Sequence, residues 1–150
     1  MNDRVRQFGG EERFGAPIER VFAVVADLDR MAQNIPDATS IERVDASTLR
    51  CVVRPGFSFL RGTLKLSITI DELEPPRRAA MRIDAKGIGV AMRVVSRIEL
   101  APDGDGSRLT WDARIDEMSG LVATVSPALV KAAADQVIRH SWEQVRRQLE

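Results

Sequence analysis

The hydrophobic period of this chain changes once, and that change constrains the fold more than any other feature. Across residues 49–115 apolar side chains recur at every second position. Leu49, Cys51 and Val53 form one such run, and Leu64, Leu66, Ile68 and Ile70 a second. Ala79, Met81, Ile83 and Ala85 follow, then Val90, Met92, Val94, Ile98 and Leu100 with Ser96 among them, then Leu109, Trp111, Ala113 and Ile115. Their neighbours are mostly polar or charged. Such alternation gives each strand one packed and one wet face and favours antiparallel hairpins. From residue 126 the spacing becomes helical. Ser126 suits an N-cap and Pro127 the first helical position, where a missing N–H costs nothing. Val130, Ala134, Val137, Ile138, Ser141, Val145 and Leu149 predict one mostly apolar stripe. Lys131, Asp135, Arg139, Glu143 and Arg147 predict a wet line of alternating charge. At ~1.5 Å per residue this helix spans about 35 Å and needs an apolar surface of similar length. The strands supply one.

The N-terminal third reads differently. Residues 5–14 suit a first strand, loosened by Gly9-Gly10 and ended by Gly15-Ala16-Pro17. Ile18, Val21, Phe22 and Val25 then fall on one helical face. A second short helix over residues 28–34, capped by Asp27 and ended by Pro36, has Leu28, Met31, Ala32 and Ile35 as its apolar side. Ile41 and Val44 suit a short strand before the Asp45-Ala46-Ser47 turn, while Pro75-Pro76 and Asp103-Gly104-Asp105-Gly106 separate later strands. The resulting expectation is an α+β fold in a single domain over residues 1–150. About seven antiparallel strands curve around the long C-terminal helix, with two short helices after the first strand.

Composition removes several function classes. The 22 basic and 22 acidic side chains give a net charge of zero, which offers nucleic acid no basic field. The single cysteine, Cys51, rules out an intrachain disulfide and a cysteine metal cluster. Residues 1–14 contain no apolar signal region, and no window is apolar enough to span a membrane, so the cytoplasm, including the inner face of the membrane, is the expected location. His140 is the sole histidine, so His metal sites and Ser–His–Asp arrangements lack material. No glycine-rich phosphate loop follows a strand. Asp112, Arg114 and Asp116 share a wet face with Arg82, Lys86, Arg93 and Arg97, which reads as a solvated charge lattice. No catalytic residue, metal or cofactor is expected. Glu12, on the parity of Phe8 and Phe14, is the main ionisable residue pointing inward.

What remains is apolar. Ala128, Ala132, Ala133 and Ala134 cluster in the first half of the last helix, where small side chains leave volume, although alanine is also the best helix former. A ligand held between helix and sheet would touch Met31, Ile35, Leu60, Met81, Met92, Trp111, Leu129 and Ala133, with Ser96 as the one polar group in the inward row. Phe57 and Phe59 form an exposed pair suited to a partner or a membrane surface, unless a bulge near Gly62 reverses the parity and buries them.

Several stretches resemble a known family. They are Phe14-Gly15-Ala16-Pro17-Ile18-Glu19-Arg20-Val21-Phe22, Ile35-Pro36-Asp37, Asp71-Glu72-Leu73-Glu74-Pro75-Pro76, Ser107-Arg108-Leu109-Thr110-Trp111 and Met118-Ser119-Gly120-Leu121-Val122-Ala123. Together they look like the CoxG-like family of carbon monoxide dehydrogenase subunits, a branch of the START-like, SRPBCC helix-grip superfamily. Asp37 stands where that family usually has Gly. The resemblance implies a non-enzymatic accessory protein with a cavity for a quinone- or lipid-like molecule, linked to a molybdenum hydroxylase complex and compatible with peripheral membrane contact. Two alternatives stay open: a polyketide cyclase/aromatase-like enzyme, and a pure interaction subunit with a filled core.

Overall fold

A computed structural model describes residues 7–35, 37–54 and 62–149. The elements run β1 (Gln7–Phe14), α1 (Ile18–Val25), α2 (Leu28–Asn34), β2 (Ala38–Arg43), β3 (Thr48–Val53), β4 (Leu64–Glu74), β5 (Arg78–Gly87), β6 (Val90–Asp103), β7 (Gly106–Gly120) and α3 (Pro127–Leu149). A short 3-10 turn, Leu121–Thr124, leads into α3. The seven strands form one antiparallel sheet in the order β1-β7-β6-β5-β4-β3-β2. Asp27 caps α2 as expected, its Oδ1 accepting from the backbone N–H groups of Asp29 and Arg30 at 2.9 and 3.1 Å. The seven-stranded, α+β, helix-grip expectation therefore holds. Val44 is exposed and lies just outside β2. Asp37 has a backbone φ of 61°. That left-handed conformation favours glycine, which accounts for glycine at the matching position of the family.

Register places the inward residues in rows across the sheet. Leu66, Ala85, Met92 and Met118 form one row, and Ile68, Ile83, Val94 and Ile115 the next. Ile70, Met81, Ser96 and Ala113 follow, then Ala79, Ile98, Trp111 and Gly10. Leu100, Leu109 and Glu12 make the last of these rows. The outward face carries the charge lattice. Arg93 joins Asp84 at 2.9 Å and Glu117 at 3.6 Å, and Arg82 joins Asp71 at 3.8 Å. The Asp84 hydrogen bond and charge raise the Arg93 guanidinium above its ordinary value.

Burial divides into two clusters at opposite ends of these rows. One joins α1 to Phe14, Ala79, Ile98, Leu100, Leu109 and Val145, with Trp111, Trp142 and Leu149 packed against it. The other joins Leu28 and Ala32 of α2 to Leu49, Cys51, Val53, Leu64, Ile68 and Val90, flanked by Met31, Ile35, Met92 and Met118. No residue of α3 belongs to the second cluster. Burial lifts the Cys51 thiol above its ordinary value of 9.0, consistent with an inert buried cysteine.

Candidate functional site

The two buried clusters leave out the centre of the inward face. Met81, Val94, Ser96 and Ala113 lie side by side on β5, β6 and β7, the inner strands of the sheet. All four are only half-buried and belong to neither cluster. In a filled two-layer core these would be the most deeply packed positions. The Ser96 hydroxyl has no hydrogen-bond partner among the described residues, so one polar group stands in an apolar floor.

The helix above explains the gap. Val145 is the only buried residue of α3 among the described residues, at 6% exposure. Val137 is 38% exposed and Leu129 52%. The stripe expected over residues 130–149 is thus covered at its C-terminal end and poorly covered before it. Small side chains contribute: Ala133, Ala134 and Ser141 are half-buried, and the Ser141 Oγ turns back to the Val137 carbonyl at 2.9 Å. None of them fills the space over the sheet as a leucine would.

The C-terminal end of α3 is fastened by polar as well as apolar contacts. The Arg146 guanidinium meets Glu12 Oε1 at 2.9 Å, donates to the Arg13 carbonyl at 2.8 Å and lies 4.6 Å from the centre of the Phe14 ring. Arg20 donates to the Leu149 carbonyl at 2.7 Å. Trp142 sits 6.2 Å from Phe14 and 6.0 Å from Trp111, ring centre to ring centre. The stripe expected from the sequence leaves Trp142 out. Its position four residues after Ile138 was the available signal.

The expected ligand residues therefore separate. Met31, Ile35 and Met92 meet around the α2 cluster, and Met81 and Ser96 lie on the open floor. Ala133 is half-buried on α3, and Leu129 is exposed near its start. Trp111 belongs instead with Phe14 and Trp142 at the fastened end. Leu60, Phe57 and Phe59 lie outside the described residues. Among the described residues no group of three or more His, Cys, Asp or Glu could hold a metal, and no helix is long and apolar enough to cross a membrane.

Known proteins share this architecture. A conserved protein from Geobacillus kaustophilus matches at a TM-score of 0.86 and 17% identity, over 95% of this chain and 93% of that one. A START superfamily protein from Mycobacterium smegmatis matches at 0.68 and 16%, over 97% and 99%. The structure of Ara h 8.0201 matches at 0.70 and 16%, over 95% of each chain. At these identities the likeness shows the fold alone. No curated protein matches the sequence. The family model for CoxG, a carbon monoxide dehydrogenase subunit, matches residues 10–150.

Proposed function

The chain belongs to the CoxG family of carbon monoxide dehydrogenase subunits, and on that premise we propose that it holds an apolar small molecule between α3 and the sheet. The observation that carries this reading is the uncovered floor of Met81, Val94, Ser96 and Ala113 beneath the loosely packed half of α3. An apolar surface at the centre of a fold is costly to leave in water, at about 25 cal/mol per Å². A quinone- or lipid-like guest removes that cost. Its body would lie against Met31, Met81 and Met92, whose flexible thioethers adapt to an irregular shape. A carbonyl or hydroxyl on the guest would meet the Ser96 hydroxyl, which gives orientation without covalent chemistry. Within a carbon monoxide dehydrogenase-type molybdenum hydroxylase system, the role would be that of an accessory carrier. The exposed Leu129 and the expected pair Phe57 and Phe59 supply apolar groups for a partner or membrane surface.

Native mass spectrometry of freshly purified protein, followed by solvent extraction, tests the reading. A co-purifying apolar compound that extraction removes is the expected result. Protein that leaves cells at its sequence mass, and binds no apolar probe afterwards, leaves only the filled-core alternative.

A further inference from the structure

A cavity lies on the β1 side of α3, away from the α2 cluster. It has a volume of about 400 Å³ and is lined by Trp111, Trp142, Ile138, Glu12, Asp135 and Arg146, with Arg139 and Glu143 at its exposed rim. The two indoles form a wedge, their planes inclined at 47°. A Cβ added to Gly10 would lie 3.1 Å from the Trp111 Nε1 and 3.3 Å from Cζ2, so glycine is what lets this ring rest on β1. The Trp111 Nε1 is buried and has no hydrogen-bond partner among the described residues. With its N–H buried, the ring brings the cavity its hydrocarbon surface and no exposed donor.

The charges are layered by depth. Glu12 is the inner one, its side chain 26% exposed, while Arg146 is 44% exposed. Arg146 is already committed to Glu12 Oε1, the Arg13 carbonyl and the Phe14 ring. The second Glu12 oxygen accepts no hydrogen bond from the described residues. Asp135, half-buried in the cavity wall, meets Lys131 at 2.8 Å. The lining therefore joins two indoles and an isoleucine to three carboxylates, Glu12, Asp135 and Glu143, against two guanidinium groups, Arg139 and Arg146. Arg139 and Glu143 oppose each other at the rim in water, where their fields are screened.

We propose that this wedge is a distinct binding site for a small molecule with an alkylated ammonium head. Indole faces attract such a cation through the ring quadrupole, and most strongly where water is excluded. Methyl groups on nitrogen meet Ile138 and the indoles, and the lining's excess of one carboxylate over guanidinium balances the charge, with the second Glu12 oxygen nearest. A primary ammonium would lose hydration here without gaining three acceptors, so an alkylated head suits the site better.

The protein reports on this site by itself, because its only two tryptophans both line the wedge. Intrinsic fluorescence is titrated with choline and with its uncharged carbon isostere, 3,3-dimethylbutan-1-ol. Solvent-extracted protein is used, so the result stands whether or not the central floor carries a guest. A saturable change with choline, and affinity for the isostere lower by about tenfold or more, is expected. Glu12→Gln should weaken choline by a similar factor with the far-ultraviolet circular dichroism unchanged. Equal response to both compounds, or no saturable response to choline, overturns the proposal. Should Glu12→Gln fail to fold, the isostere comparison on the parent protein decides alone.

Discussion

Valine to alanine at two positions of α3 measures how far the helix is seated on the sheet. Val145 is 6% exposed and Val137 38% exposed. At Val145 the change removes two buried carbons, about 1.6 kcal/mol of transfer energy at ~0.8 kcal/mol each. The cavity left behind raises the loss to about 2–3 kcal/mol. Alanine's better helix propensity returns about 0.5 kcal/mol, for a net cost of about 1.5–2.5 kcal/mol. At Val137 little more than half of the transfer term applies, about 1 kcal/mol, and no closed cavity forms. The propensity gain offsets half of it, so the net cost is about 0.5 kcal/mol or less. Urea unfolding followed by circular dichroism, on extracted protein, gives both numbers from midpoints at a common slope. Costs within about 0.5 kcal/mol of each other would refute the reasoning. They would mean that α3 lies closed on the sheet along its whole length, with no room for a guest.

Three further outcomes are expected. Ala133→Leu adds volume over the open floor, so it should abolish binding of an apolar fluorescent probe at nearly unchanged stability. An overpacked core would instead lose about 1–3 kcal/mol, read from the same denaturant curves. Asp37→Gly should raise stability by about 0.5–1 kcal/mol because it relieves a left-handed residue, and Asp37→Ala should lower it, as compared by thermal unfolding. Cys51 makes stability depend on alkaline pH. Its folded value is raised by burial, so the contribution is intact below the ordinary 9.0 and is lost as pH rises beyond it, when the unfolded thiol ionises first. Cys51→Ala should flatten that limb of the stability–pH curve.

Much of the fold was legible because local rules and tertiary contacts agree. Alternation named the inward faces of β3 to β7, Asp27 announced α2, and Ser126-Pro127 announced the start of α3. The candidate site was legible only in part, for a physical reason. Periodicity reports which way a side chain points, not what covers it. Val137 and Val145 occupy one stripe in sequence, yet one is wet and the other buried. Glu12 could be placed inward by parity alone. Its partner Arg146 lies 134 residues away, and no local pattern encodes that meeting. Helical spacing from Ile138 could place Trp142 on the stripe, but not its neighbours Phe14 and Trp111, which come from the edge strand β1 and from β7 beside it.

The place of β1 in the sheet sets an order of assembly. Strands β2 to β7 pair each with the next, through short connections that close cheaply. β1 alone waits for a distant partner, since Gln7 pairs with Arg114 and Phe14 with Ser107. During synthesis it emerges first and stays unpaired until β7 has left the ribosome. Both the Glu12 carboxylate and the Phe14 ring that fasten α3 travel with it. Pulse-labelled hydrogen exchange during refolding should therefore protect β4, β5 and β6 before β1, with α3 last. The helix that covers the inward face of the sheet is the last to be secured, so the folding chain passes through an open form with that apolar face exposed.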